Sequence, residues 1–316
     1  MNVPTDSFPY PAKRLEIDSL SMAYRDVGPT NSDPSNSGPD SQPPTLLCVH
    51  GNPTWSFYYR KVIERFSDTF RVVAVDHIGC GESDKPARGE FSYQLSDHQR
   101  NLVTLIDALD LQNVTLIAHD WGGAIGLGAL TARRPRFNRM VLLNTAAFPP
   151  PYIPWRIRAC RLPLLGSWAI RRWNVFARAA VTMAMSRNVM AADVASGLLA
   201  PYHDWDSRVA IDAFVRDIPT SRSHPTFQTL QQLESDLPSL ADLPSLLIWG
   251  MKDWCFRPQC LERFREVWPD AQSLPIADAG HYVLEDAPQE TLDAIARFIG
   301  HASQRSDPDT ASTTVT

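Results

Sequence analysis

An aspartate between a short apolar run and a glycine pair is the strongest chemical signal in the sequence. Residues 118–123 read Ala-His-Asp-Trp-Gly-Gly and follow directly on the apolar run 114–118. A strand, a sharp turn and a helix of small residues make up the nucleophile elbow that presents a catalytic serine in the pattern G-x-S-x-G. Here Asp120 stands at the serine position, and Ala118 replaces the first glycine.

An aspartate at this position changes the chemistry that an elbow supports. A carboxylate that attacks an amide or an ordinary ester gives an anhydride, which is a poor intermediate. On a saturated carbon it displaces a leaving group and forms an alkyl ester, which water can then cleave. Asp120 therefore favours the opening of a carbon–halogen bond, an epoxide or a strained ring. The structural alternative is that Asp120 only caps the following helix.

Two other residues are candidates for holding an anion beside Asp120. The loop after the apolar run 45–49 and the residue after the nucleophile supply the N–H donors of an oxyanion hole in this kind of turn. These residues are Asn52 and Trp121. Their amide and indole side chains also donate hydrogen bonds, so the pair could hold a departing halide. Alternatively, Asn52 is a turn residue and Trp121 belongs to the core.

A general base and its orienting acid can also be assigned. Histidine accepts a proton near neutral pH without a large change in pKa. Only His281 follows the last predicted strand with a glycine before it. The carboxylate partner of His281 can follow either of two apolar runs, 139–144 or 245–249. The first run ends at Asn144, which is not an acid. We therefore assign Asp253, which lies three residues past Gly250 after the second run.

Other polar groups near these motifs are interpreted as structural. The acids concerned are Asp278, Glu285 and Asp286. The remaining histidines are placed in the motif loops (His50, His77, His119) or on the surface and the cap (His98, His203, His224, His301).

Short Val/Ile/Leu-rich runs alternate with helical segments along the chain. Such continuous apolar runs are typical of strands buried on both faces of a parallel sheet. The order predicts an α/β fold with a doubly wound, mostly parallel sheet. The predicted strands are 45–49, 71–75, 114–118, 139–144, 245–249 and 271–276, preceded by a strand pair at 15–27. A helix is predicted at 96–109, with Ser96 as its N-cap.

The pattern also predicts the domain organisation. Residues 1–148 and 225–301 form the core, and 149–224 form an inserted helical cap or lid. The Pro- and Ser-rich stretch 28–44 is expected to be a flexible loop, and 302–316 a disordered tail.

The cap segment has a distinctive charge. It contains ten Arg, no Lys, five Asp and no Glu, so it carries +5 while the rest of the chain carries −10. This basic surface is either an ordinary solvated face or a site for anions, a membrane surface, an acidic partner or another subunit. Some of the large apolar side chains of the cap are expected to line a pocket, chosen from Trp155, Leu164, Trp168, Trp173, Phe176, Met183 and Phe214.

Composition excludes several classes of protein. The 316 residues include 30 Lys+Arg and 35 Asp+Glu, and the net charge of −5 disfavours a nucleic-acid binder. No apolar run is long enough for a membrane span. The five cysteines form no C-x-x-C pair, which favours free thiols in a reducing, cytoplasmic location and no zinc site. The expected chemistry requires neither a metal nor an organic cofactor.

The combined motifs resemble the haloalkane dehalogenases of the α/β-hydrolase superfamily. The matching segments are HGNPTWSFYYR (50–60), DHIGCGESDKP (76–86), HDWGG (119–123) and GHYVLEDAP (280–288). With the strands between them, the resemblance covers roughly residues 15–147 and 225–300.

The resemblance implies a function for each assigned residue. Asn52 and Trp121 match the halide-holding pair of the family, and Asp253 with Asn144 resembles the subfamily whose acid follows the later strand. The expected activity is hydrolysis of a carbon–halogen bond, through an ester of Asp120, to an alcohol and a halide. The expected partner is a small apolar substrate.

Three alternatives remain open. The subfamily includes relatives that decarboxylate β-lactones in long-chain olefin biosynthesis, and NTAAFP (144–149) and PWRIR (154–158) look similar to those relatives. Epoxide hydrolases share HDWGG but carry an aromatic residue where Asn52 stands, and they use two lid tyrosines; this lid has Tyr152 and Tyr202. A ligand receptor without enzymatic activity is the third alternative, and the complete triad argues against it.

Overall fold

Eight strands form a single sheet in the computed structural model, which describes residues 8–29 and 43–300. The strand order is β1-β2-β4-β3-β5-β6-β7-β8; β2 pairs antiparallel with β1 and β4, and every other pairing is parallel. The predicted α/β class with a mostly parallel sheet is confirmed. The strands are β1 (Lys13–Ile17), β2 (Leu20–Val27), β3 (Thr45–Val49), β4 (Arg71–Val75), β5 (Val114–Asp120), β6 (Phe137–Thr145), β7 (Ser245–Gly250) and β8 (Gln272–Ile276).

Helices connect the strands of this sheet. Six of them, α4 to α9, lie between β6 and β7, and the first five are in the segment predicted to form the cap. The helices of the described chain are α1 (Arg60–Phe66), α2 (Leu95–Ala108), α3 (Trp121–Ala132), α4 (Trp155–Cys160), α5 (Leu165–Trp173), α6 (Val175–Met183), α7 (Ala192–Leu199), α8 (Val209–Asp217), α9 (Pro225–Asp236), α10 (Pro258–Val267), α11 (Val283–Asp286) and α12 (Pro288–Gly300).

Alternate residues of the central strands enter two separate hydrophobic cores. Leu47 and Val49 of β3 pack into one core, whereas Leu46 and Cys48 pack into the other. Successive side chains of a strand point to opposite faces of a sheet, so both faces must be covered for such a run to be stable. This double burial explains why the strands are continuous apolar runs in the sequence.

The start of α2 differs from the prediction. Ser96 is not the N-cap, because α2 already begins at Leu95 and Gln94 occupies the cap position without a side-chain cap hydrogen bond. The Leu95 N–H instead donates to the carboxylate of Asp217 at 2.9 Å. Burial raises the pKa of Asp217 to about 7. A distant side chain at the end of α8 therefore satisfies an N–H group that a local cap usually satisfies.

Some predicted segments lie outside the described residues. Most of the predicted flexible loop 28–44 and all of the predicted tail 302–316 are in this group. Within the described ranges no helix is long and apolar enough to cross a membrane. All five cysteines are free thiols.

The close approach of α3 to β3 gives a testable prediction on stability. A Cβ added at Gly122 would lie 2.0 Å from the carbonyl oxygen of Val49, which is backbone and cannot rotate away. Gly122→Ala is therefore expected to lower the free energy of unfolding by about 1–3 kcal/mol, as measured by urea denaturation. Gly89→Ala is the matched control, since no atom lies within 4 Å of its added Cβ. Equal stabilities of the two variants would contradict this account of the elbow.

Candidate active site

Asp120 lies at the sharp turn between β5 and α3. Its φ of +55° is in the left-handed region, which costs a non-glycine residue about 1–3 kcal/mol. The Thr145 hydroxyl donates to its carbonyl oxygen and helps to hold this conformation. The Asp120 side chain makes no cap hydrogen bond to α3, so the helix-cap alternative does not describe it. The carboxylate instead faces the loop that carries Asn52 and the ring of His281.

The structure brings Asp120, His281 and Asp253 together. His281 Nδ1 lies 2.7 Å from Asp253 Oδ2, and His281 Nε2 lies 3.5 Å from Asp120 Oδ2. All three side chains are buried. The Asn144 amide donates to Asp253 Oδ2 at 3.0 Å, so the strand end that lacks an acid still orients the acid from the next strand. The imidazole thus bridges two carboxylates in the geometry of a nucleophile–base–acid triad.

Asn52 contacts the other oxygen of the Asp120 carboxylate. Its backbone N–H donates to Asp120 Oδ1 at 2.7 Å, as an oxyanion-hole donor at this position would. Its side-chain Nδ2 donates to the carbonyl of Ile211 in α8 at 3.2 Å. Sequence analysis did not identify this contact, which leaves one Nδ2 proton for a ligand. Trp121 is the first residue of α3, and both Asn52 and Trp121 line the cavity described below.

Two opposing effects set the proton affinity of His281. Burial lowers its pKa, but the Asp253 and Asp120 carboxylates act in the opposite direction and raise the pKa to about 10. The two carboxylates therefore favour the protonated form of the imidazole. Once Asp120 is esterified, one of the two negative charges disappears, and the pKa of His281 must fall.

Among the described residues, the other buried histidines differ from His281 in having no carboxylate partner. Burial lowers the pKa of His50, His77, His98 and His119. The placement of His98 on the surface was wrong: it is buried, and its ring stacks on Phe214 at 4.6 Å. His119 Nε2 lies 3.0 Å from the His281 carbonyl oxygen, so this neutral ring supports the His281 backbone.

The acids near His281 have structural contacts. Glu285 forms a buried ion pair with Arg60 at 2.6 Å. Asp286 accepts a hydrogen bond from the Gly280 N–H at 2.6 Å, and also from the backbone of residues 186–188. Asp278 pairs with Arg187 at the surface. The contacts of Glu285 and Asp286 hold the loop that carries His281.

A cavity of about 110 Å³ opens beside Asp120. Apolar side chains dominate its walls, among them Phe148, Ile157, Val215 and Leu230. Cys255 and Phe256 also line it and were missed by sequence analysis, although they follow Asp253 directly. The Phe256 ring stacks on His281 with 5.6 Å between ring centres.

Most of the cap residues expected to line this cavity do not. Of the seven candidates only Phe176 is a wall residue, and Phe214 packs against Trp121 at 5.5 Å from outside the wall. Trp155, Leu164, Trp168 and Trp173 are exposed. Sequence composition identified large apolar residues in the cap, but the packing of each short helix decides which side faces inward.

Tyr152 and Tyr202 are not placed as a pair of acids. The Tyr202 hydroxyl is buried against the Thr54 carbonyl at 3.2 Å, and Tyr202 is not a wall residue. Tyr152 lines the cavity, but its hydroxyl donates to the Cys255 carbonyl. Burial raises the pKa of both hydroxyls. This arrangement disfavours protonation of an epoxide oxygen.

The described residues contain no group of three His, Cys, Asp or Glu side chains that could hold a metal ion. The contacts described above give a site of two carboxylates, one imidazole and N–H donors at one end of an apolar cavity. Such a site suits attack on a carbon that bears a leaving group.

Comparison with known families agrees with this architecture. The family described as alpha/beta hydrolase fold matches residues 44–288. The chain therefore belongs to the α/β hydrolase fold family, and the expected fold is confirmed. A haloalkane dehalogenase structure from Agrobacterium tumefaciens superposes with a TM-score of 0.79 at 23% identity, covering 92% of this chain and 96% of that one.

Several relatives are similar in sequence over most of the chain. Two are named cis-3-alkyl-4-alkyloxetan-2-one decarboxylase. The one from Shewanella oneidensis is 38% identical over 82% of this chain and 83% of its own length, and the one from Xanthomonas campestris is 35% identical over 92% and 97%. Haloalkane dehalogenase 2 of Mycobacterium tuberculosis is 33% identical over 82% of this chain and 88% of its own. The relatives include enzymes of both kinds anticipated from the motifs.

The proton affinity of His281 gives a prediction for this site. Asp120→Asn removes one of the two carboxylates, so the pKa of His281 should fall by about one to three pH units. An NMR titration of the imidazole signals measures this. Asp278→Asn is the matched control, because Asp278 is an exposed acid paired with Arg187 and should leave His281 unchanged. An unchanged His281 pKa in the Asp120 variant would contradict the electrostatic coupling.

Proposed function

We propose that this protein opens β-lactones that carry two alkyl arms and converts them into an alkene and carbon dioxide. The observation that supports the reaction type is an elbow carboxylate, Asp120, facing His281 at the end of an apolar cavity. The choice of ring is supported by the relatives named cis-3-alkyl-4-alkyloxetan-2-one decarboxylase, at 38% and 35% identity. The β-lactone thus replaces the haloalkane, which the sequence motifs favoured, as the leading candidate substrate.

In the first step of the proposed mechanism, one oxygen of Asp120 attacks the ring carbon that bears the ring oxygen. The carbon–oxygen bond of the ring breaks, and its electron pair stays on the oxygen as a carboxylate attached to the neighbouring carbon. The product is an alkyl ester of Asp120. Asn52 and Trp121 donate hydrogen bonds to the new carboxylate, and the proton on His281 adds a positive charge beside it.

In the second step, the bond between the carboxylate and its ring carbon breaks. Carbon dioxide leaves, the electron pair forms the double bond, and the ester bond to Asp120 breaks so that the aspartate leaves as a carboxylate. No water or proton is consumed. Inversion in the first step, followed by loss of the two groups from opposite sides, converts a cis lactone into a cis alkene.

The cap and the remaining site residues have supporting roles in this proposal. Residues 149–224 act as the cap, since Phe176 and Val215 from this segment complete the apolar wall. Asp253 acts as a positioning residue through His281. The apolar walls accept the alkyl arms and exclude water, which would divert the ester to an alcohol.

Haloalkane dehalogenation is the second candidate, and a specific observation favours it. Asn52 and Trp121 both line the cavity that Asp120 also lines, as donors for a departing halide must. The fall in the pKa of His281 after esterification would then produce the base that activates water. The Mycobacterium tuberculosis relative named haloalkane dehalogenase 2 supports this alternative at 33% identity.

The proposed reaction is tested with a cis-3,4-dialkyl β-lactone and the purified protein. Gas chromatography should detect the cis alkene together with an equal amount of carbon dioxide. Asp120→Ala should lower the rate by at least about 10³-fold, since it removes the attacking group. Asp278→Ala is the control variant that should retain the rate.

Water labelled with ¹⁸O separates the two candidates. Hydrolysis of an alkyl ester of Asp120 leaves ¹⁸O in the aspartate, whereas the decarboxylation leaves Asp120 unlabelled after many turnovers. Mass spectrometry of the peptide that contains Asp120 reads out the difference. Rapid bromide release from bromoalkanes with a labelled Asp120, and no alkene from the lactone, would overturn the proposal in favour of dehalogenation.

A further inference from the structure

Large apolar side chains are exposed along the segment 155–173, which comprises α4, α5 and the turn between them. Six of the eight large hydrophobic side chains exposed in the described chain lie here. Trp155 is 71% exposed and Leu164 is 86% exposed. Clustered apolar exposure of this kind marks an interaction surface. The six residues are Trp155, Leu162, Leu164, Leu165, Trp168 and Trp173.

The same segment is basic and contains no acid. It has five Arg and neither Asp nor Glu. Arg161 and Arg171 point to backbone carbonyls and Asp206 of the protein itself. Arg156, Arg158 and Arg172 are exposed, and none of them forms an ion pair within the described residues. Exposed arginines therefore stand beside exposed tryptophans and leucines.

This surface borders the candidate active-site cavity. Pro154 and Ile157 are wall residues of the cavity, and Trp155 lies between them in sequence with its side chain in solvent. Helix α4 thus turns Ile157 towards the site of Asp120 and turns Trp155 away from it. A binding partner that contacts the segment 155–173 would therefore lie next to the cavity.

We propose that the segment 155–173 docks the protein on an anionic lipid surface. Tryptophan favours the boundary between lipid and water, and arginine binds the phosphates of headgroups. This is attachment to the surface by a face of short helices, without a span. Docking would let the alkyl arms of the substrate pass from lipid into the cavity; that second part rests on the proposed function, whereas docking itself does not.

Charge favours lipid over a second copy of the chain. In a two-fold dimer the same surface of each copy faces its counterpart, so the three exposed arginines of one copy would lie against those of the other. Like charges brought together in this way repel each other. An anionic surface instead neutralises the exposed arginines and covers the indole rings.

The test is co-sedimentation of the full chain with vesicles. Vesicles of equal parts phosphatidylcholine and phosphatidylglycerol should bind the protein, vesicles of phosphatidylcholine alone should bind it at least tenfold more weakly, and high salt should release it. A combined Trp155→Ser and Leu164→Ser variant should bind at least tenfold more weakly to the anionic vesicles. Arg156→Gln combined with Arg158→Gln should do the same, since each arginine near the surface contributes about fivefold.

Val189→Ser is the matched control, because Val189 is 96% exposed and lies outside the segment. It should bind like the unchanged protein. The docking proposal would be overturned if the Trp155 and Leu164 variant and the Arg156 and Arg158 variant bound the vesicles as well as the unchanged protein. Binding that does not depend on phosphatidylglycerol would overturn it as well. So would a dimer in solution that the Trp155 and Leu164 changes convert to a monomer.

Turnover separates this proposal from the proposed function. The Trp155 and Leu164 variant should lose activity on a long-chain lactone held in anionic vesicles but keep it on a short-chain lactone in water. Vesicle binding without any lactone turnover would overturn the proposed function and leave docking standing. Lactone turnover without vesicle binding would overturn docking alone.

Discussion

A buried imidazole held between two carboxylates is the interaction on which the rest of the site depends. His281 lies 2.7 Å from Asp253 and 3.5 Å from Asp120, in a region removed from water. Buried charges are costly unless further hydrogen bonds satisfy them. The Asn52 N–H supplies one such bond to Asp120, and the Asn144 amide supplies one to Asp253. The groups that make these bonds lie at or just after the ends of β3, β5, β6 and β7, which are neighbours in the sheet.

The same arrangement supports two chemical outcomes, and they differ in whether the negative charge of the leaving group departs or stays beside His281. When Asp120 becomes an ester, His281 loses a negative neighbour. If the leaving group departs as halide, His281 becomes less basic and can accept a proton from water. If the leaving group is a carboxylate that remains on the substrate, it replaces the lost charge and keeps His281 protonated. The arrangement of Asp120, His281 and Asp253 is therefore compatible with hydrolysis and with decarboxylation, and the substrate decides which reaction occurs.

The sequence predicts those parts of the molecule that depend on local pattern. Continuous apolar runs identified the buried strands, and the placement of Asp120, Asp253 and His281 after strand ends agreed with where the structure brings them together. The N-cap of α2 could not be predicted, because its acceptor, Asp217, is more than a hundred residues away. The outward direction of Trp155 depends in the same way on tertiary packing.

Trapping of the covalent intermediate tests the central claim, that Asp120 attacks a saturated carbon, most directly. The His281→Gln protein is incubated with a reactive bromoalkane and digested, and the peptide containing Asp120 is weighed by mass spectrometry. The account predicts that this peptide gains the mass of the alkyl group, located on Asp120 by fragmentation, and that His281→Gln combined with Asp120→Ala gains none. An alkyl group found on another residue, or no adduct on a protein that still releases bromide, would contradict it.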